Sequence, residues 1–208
     1  MRTLLFFTLF GLLSSPPPHV VNFDTAALGQ PPNGWTFPAS NSAQPKWEIR
    51  RDQSAASQPY VFARIAGADG APMPLAIFNQ MDLQNGDVSV RFKPVSGEKE
   101  QAGGLVFRYR DENNFYLVRA DATHQYVCLI KVVNGHRIQV GEAAKRELPR
   151  QQWSILKVAV KGNRFQIYVD HRRMLRVDDG SLPAAGKAGL WAPTGAITYF
   201  DDFRIDPQ

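Results

Sequence analysis

From residue 46 onward the chain alternates apolar and polar positions with a period of two. In Gly104–Arg110, Leu105, Phe107 and Tyr109 alternate with Val106, Arg108 and Arg110. In Phe115–Asp121, Tyr116, Val118 and Ala120 alternate with Leu117, Arg119 and Asp121. Side chains two apart share one face of a strand, so each run has a buried face and an opposite face. The corner between them, Asp111–Asn114, carries short polar side chains that bond local backbone and tolerate left-handed dihedrals. The two runs therefore predict a β-hairpin that projects arginines away from its apolar side.

The rest of the chain repeats this pattern. Strands are predicted at Val20–Asp24, Lys46–Arg51, Pro59–Ala66, Met73–Asn79 and Gly86–Pro94, then beyond the hairpin at Tyr126–Val133 and Arg137–Val140. They continue at Trp153–Lys161, Arg164–Asp170, Met174–Val177, Ala188–Trp191 and Ile197–Ile205. Asn134-Gly135 and Gly162-Asn163 are two-residue hairpin signals. Trp35 and Phe37 anchor a loop rich in Gly, Pro and Asn, and residues 141–150 read as a helical turn or an irregular loop. Short strands with frequent turn signals, and no helical periodicity over ten residues, predict an all-β fold, an antiparallel sandwich or barrel.

Composition changes this picture little. At 208 residues, with 44% hydrophobic and 21% charged residues, one domain is expected. The formal charge of +5 comes without a Lys/Arg run, so nucleic acid is not an expected partner. Residues 1–15 are different: Arg2 precedes an apolar run from Leu4 to Leu13, followed by Ser14 and Ser15. This is the layout of a secretory signal peptide, with the domain following at 16–208 and no membrane attachment after its removal. The expected location is periplasmic or extracellular and the expected state monomeric. Cys128 is the only cysteine, so there is neither an internal disulfide nor a cysteine metal site, and its place mid-strand marks a packed thiol.

Several stretches carry a resemblance: GDVSVRFKPVSG (86–97), AGGLVFRYRDENNFYLVRA (102–120), KVVNG (131–135), WSILKVAVKGNRFQIYVD (153–170) and GKAGLWAPTGAITYFDDFRI (186–205). The chain resembles the concanavalin A-like lectin/glucanase sandwiches of bacteria. More narrowly, it resembles the 3-keto-disaccharide hydrolase domains, loosely labelled as similar to family 16 glycoside hydrolases. The resemblance implies a jelly roll of two curved antiparallel sheets, with a sugar groove on the concave one. It departs from better-marked members where Ala102-Gly103-Gly104 replaces an Asn-Ser-Gly step. It also implies a structural Ca²⁺ where the first and last strands meet. There Phe200–Phe203 reads Phe-Asp-Asp-Phe, and carboxylates beside core aromatics call for a compensating cation. Asp202 is the first expected ligand and Asp24 the second.

The candidate chemistry points to binding before cleavage. Glycoside hydrolysis usually needs two facing carboxyl groups, and the Glu-x-Asp-x-x-Glu arrangement that family 16 uses is absent. No Gly-x-Ser-x-Gly elbow and no His-x-x-x-His occur. Arg108 and Arg119 are the expected ligand-binding residues, because a guanidinium on a non-core face presents five fixed donors to sugar hydroxyls. Tyr126 and Trp191 are candidates to stack on a sugar ring, and His124 closes the central strand beside them. The first function expected is a secreted module that binds glycans or glycosides. One alternative is a 3-keto-disaccharide hydrolase, whose activated C–H needs only one base and a metal. Another is a non-catalytic envelope domain that binds protein.

Overall fold

The computed structural model describes residues 16–38, 46–65 and 73–208, and the leader expected at residues 1–15 lies outside them. The described residues contain no helix and form fifteen strands: β1 His19–Val21, β2 Trp35–Thr36, β3 Trp47–Arg51, β4 Tyr60–Arg64, β5 Leu75–Leu83, β6 Gly86–Gly97, β7 Ala102–Asp111, β8 Asn114–Asp121, β9 Tyr126–Val133, β10 His136–Lys145, β11 Ser154–Lys161, β12 Arg164–Val169, β13 Arg172–Asp178, β14 Gly186–Trp191 and β15 Ala196–Pro207. They make two antiparallel sheets. One runs β13-β12-β11-β6-β15-β4-β3, with β1 also on β15, and the other runs β10-β9-β8-β7-β14-β5-β2.

The alternation read from sequence sets the packing. Val88, Val90 and Phe92 of β6, with Leu156, Val158, Phe165 and Ile167, face Leu105, Phe107, Tyr116, Val118 and Leu129 of the other sheet, all essentially buried. Removing each such side chain from water contributes about 1.5–3 kcal/mol before chain entropy is counted. Trp35 packs its ring 5.1 Å from both Phe62 and Phe203 and closes one end. It does so from β2, a two-residue strand paired with β5, where the sequence pattern predicts a loop.

The seven-stranded sheet is buried on both faces over its middle. Leu75, Ile77, Val106, Phe115, Leu117 and Val132 form a second apolar cluster on its outer side. This explains the nearly unbroken apolar runs of β5 and β8, since a strand covered on both faces has no solvent face to make polar. Residues 141–145 correct the expected turn or loop. They continue β10, and a register shift between Val140 and Ala144 absorbs the irregular pattern.

A bulge in the β7–β8 pair also changes the outcome. The pairing is regular from Ala102↔Asp121 to Phe107↔Tyr116, then shifts before Asp111↔Asn114. Arg108 sits in the shift with φ +49°. An extra residue in one strand reverses the faces beyond it. Tyr109 therefore joins the outer apolar cluster and Arg108 turns inward.

Candidate functional site

Register places a row of side chains on the outer face of the seven-stranded sheet. Trp191 of β14 pairs with Gly104 of β7, Gly104 with Arg119 of β8, and Arg119 with Cys128 of β9. The next row joins Ala102, Asp121, Tyr126 and Lys145. Directly paired residues share a face, so Arg119, Asp121, Tyr126 and Trp191 converge.

The Arg119 guanidinium is the centre. Its Nη2 donates to Asp121 Oδ2 at 2.6 Å and stands 2.7 Å from Glu100 Oε1, the latter a charge contact without hydrogen-bond alignment. Its carbon lies 5.4 Å from the Tyr126 ring centre and 5.7 Å from that of Trp191, within cation–π reach of both. Asp121 is fully buried and takes four donors: Arg119, the Thr123 and His124 backbone N–H groups, and His124 Nδ1 at 2.9 Å. Burial alone would raise its pKa, but the bonds from His124, Arg119 and Thr123 outweigh burial and hold it below the usual carboxylate range. Glu100 goes the other way, because burial outweighs the attraction of Arg119. Burial also pushes the neighbouring Cys128 thiol up to about 11, so it is a packed group and no nucleophile.

Two donors are left over. Arg119 Nε and Trp191 Nε1 are buried and have no partner among the described residues. Buried polar groups are normally satisfied, and the part-exposed Arg119 side chain between the two rings is the spot an acceptor can reach. Gly104 makes the spot possible. A Cβ there would meet Val118 O at 2.7 Å and the Trp191 ring at 3.1 Å, so only glycine lets the indole lie across β7.

Of the residues expected from sequence, Arg119, Tyr126, His124 and Trp191 are brought together and Arg108 is not. Arg108 is 2% exposed and donates to the Leu182, Gln84 and Gly162 carbonyls, with Phe165 under its guanidinium. The bulge is the physical reason, and Arg108 is a structural residue that ties β7 to three loops. Asp121, two residues beyond Arg119 on the same strand face, is its partner, and Glu100 completes the site without having been singled out. Glu100 lies in a polar turn before β7, where a carboxylate has no periodicity to mark it.

The same residues decide against glycosidase chemistry at this spot. Carboxylate oxygens 2.7 Å and 2.6 Å from one nitrogen lie at most about 5.3 Å apart, no wider than the roughly 5–5.5 Å of a retaining pair. Arg119 stands between them, however, and Asp121 has no exposed surface with which to attack a sugar carbon.

At the junction of β1 and β15, Asp202 does not face inward. It has φ +48° and pairs with Arg91 at 3.1 Å. Asp24 accepts only a long bond from the Tyr60 N–H, at 3.4 Å. The buried carboxylate is Asp201, which takes the Ser57 N–H and hydroxyl and the Asp202 N–H. No group of three or more His, Cys, Asp or Glu side chains fit to hold a metal is found among the described residues.

Two packed antiparallel sheets with this strand order define a concanavalin A-like jelly roll, and solved structures of carbohydrate-active proteins share it. Carbohydrate-binding module CBM66 from Bacillus subtilis superposes with a TM-score of 0.65 over 83% of this chain and 96% of its own, at 22% identity. The GH43 protein BlXynB from Bacillus licheniformis gives 0.61 over 90% of this chain and 39% of its own, at 15% identity. The β-glucanase of Bacillus licheniformis gives 0.59 over 87% and 96%, at 10% identity. In sequence, a levanase of Bacillus subtilis (strain 168) is 35% identical over 104 residues, 49% of this chain. The match spans only 15% of the levanase. No protein-family profile matches the chain. No helix among the described residues is long and apolar enough to cross a membrane.

Proposed function

We propose that the protein binds carbohydrate on the outer face of its seven-stranded sheet, at Arg119, and does not cleave it. The observation that carries this reading is the part-exposed Arg119–Glu100 pair flanked by the Tyr126 and Trp191 rings on one sheet face. Sugar hydroxyls both donate and accept, so they match a carboxylate–guanidinium–indole cluster, and the rings offer faces to the C–H side of a sugar. The likeness to a carbohydrate-binding module along nearly its whole length supports binding, and the match to a levanase makes fructan the first ligand to try. Calorimetry against a panel of neutral oligosaccharides, levan fragments included, tests the reading, with chromatography of the recovered sugars. Binding that depends on Arg119, with every sugar recovered intact, is the expected result. Release of a smaller sugar by the pure protein would overturn the non-catalytic part.

Export belongs to the same proposal and rests on the apolar leader Leu4–Leu13. Mass spectrometry of the protein from its host should find an N terminus near residue 16–20, and an intact chain in the cytosol would refute export.

A structural calcium is a separate proposal, with Asp201 as the carboxylate in place of Asp202. Burial, with a smaller contribution from the Asp202 charge, pushes Asp201 up to about 6 against the bonds from Ser57 and the Asp202 N–H. A bound hard cation would compensate the buried charge. The folded-state pKa is above the unfolded value, so without calcium the stabilising protonated form is lost as pH rises from about 4 through 6. That amounts to about 3 kcal/mol at about 1.4 kcal/mol per pKa unit. Unfolding measured in chelator should show this fall and Asp201→Asn should flatten it, while calcium should raise the wild-type melting temperature at pH 7. A melting temperature indifferent to calcium would end the calcium proposal.

A further inference from the structure

We infer that the site takes a chain of sugars, with later units running across the strands into a cationic cleft beside His124. This rests on the carbohydrate reading of the Arg119 site and adds a direction and a second subsite to it.

The outer-face row does not stop at Tyr126. Lys145 of β10 pairs with Tyr126, so its side chain stands on the same face as Tyr126 and Asp121. Beyond it opens a cleft of about 1230 Å³ between the Thr123–Gln125 turn and residues 145–150, and His124 belongs to both this cleft and the Arg119 cluster. Neighbouring strands lie about 4.8 Å apart, so the path from Trp191 on β14 to Lys145 on β10 crosses four spacings, roughly 19 Å. That is several sugar rings long.

The walls of the cleft are fixed before any ligand arrives. Gln125 accepts from the Leu148 N–H at 2.7 Å and donates to the Leu148 carbonyl at 3.1 Å. The Arg146 N–H bonds the Gln125 carbonyl at 2.9 Å, and the Arg146 guanidinium is held by Asp170 at 3.0 Å. A loop clamped in this way loses little freedom on binding. Its donors remain available. Lys145 and Arg150 line the cleft with Glu147 between them in sequence, and neither cationic side chain has a hydrogen bond or ion pair among the described residues. Among the described residues no Phe, Tyr or Trp lines this end. The cleft therefore holds its sugars by donors to their hydroxyl and ring oxygens, whereas the Arg119 end also has rings to stack on.

The test is calorimetric titration of the full chain with fructose and with levan-derived oligosaccharides of two to five units. Affinity is expected to tighten at least about tenfold between one and three units, the effect of one or two added charge-assisted bonds. In Lys145→Gln/Arg150→Gln the ratio of trisaccharide to fructose affinity should collapse toward one. Melting curves confirm that this surface variant folds. A flat affinity across the ladder, or a ratio unchanged in the double variant, overturns the subsite while leaving the Arg119 site standing. Binding of no member of the ladder overturns the fructan assignment and the subsite with it, and binding indifferent to Arg119→Ala refutes the Arg119 site itself.

Discussion

Arg108→Ala should lower the unfolding free energy by about 3–5 kcal/mol and leave sugar affinity unchanged in whatever protein remains folded. Arg108 is buried, and its guanidinium supplies donors to the carbonyls of Leu182, Gln84 and Gly162. Truncation leaves those acceptors without their donor, at about 1–3 kcal/mol for each that water cannot reach. It also opens space beside Phe165, which costs more because the surroundings collapse only partly. Burial lowers the arginine's pKa, yet a guanidinium stays charged far above neutral pH, so the loss should not depend on pH between 5 and 8. Arg108→Lys should recover part of the loss, since an ammonium reaches some of the carbonyls but lacks the fork. Urea unfolding of the three proteins reads the order directly. A variant as stable as wild type would mean that the three carbonyls do not depend on this side chain.

Arg119→Ala should have the largest effect on binding. Loss of charge-assisted bonds to a sugar costs about 1.5–3 kcal/mol, roughly 10- to 150-fold in affinity. The stability cost should be smaller than for Arg108→Ala. Asp121 keeps the Thr123 and His124 N–H groups and His124 Nδ1 when the guanidinium goes. Arg119→Lys preserves the charge between Glu100 and Asp121 but removes Nε and the planar fork. It should therefore restore stability and little of the affinity. A lysine variant that binds as tightly as wild type would show that the site needs only a positive charge.

These two arginines mark where the sequence is legible. Both stand mid-strand at alternating positions, and the period-two pattern treats them alike. For Arg119 the pattern holds, because β8 pairs without interruption with β7 and β9 from Tyr116 onward. Arg108 is displaced by a bulge, and a bulge depends on how the turn at Asp111–Asn114 closes against the partner strand, which apolar periodicity does not record. The sandwich itself is legible because most strands have one face in the core and one outside. Tyr126 is legible because it opens the strand that follows the hairpin, whereas the place of Trp191 beside Arg119 follows only from the β14–β7 pairing. Glu100 is hidden because it comes from a turn, and its role exists only once β7 and β8 bring it against Arg119. The same limit applies to Asp201 and Asp202, where a left-handed residue in β15 decides which of two adjacent carboxylates is buried.

The central claim, that sugar binds at Arg119 on the seven-stranded sheet, is tested most directly by the indole N–H resonances of the four tryptophans. Trp35 and Trp47 lie in the core between the sheets, Trp153 stacks on Lys93 of the other sheet, and Trp191 adjoins Arg119 with its N–H unpaired. Titration of ¹⁵N-labelled protein with a levan-derived trisaccharide should move the Trp191 resonance, by giving its N–H an acceptor, and leave the other three nearly still. A bound sugar that moves Trp153 and not Trp191 would contradict the account.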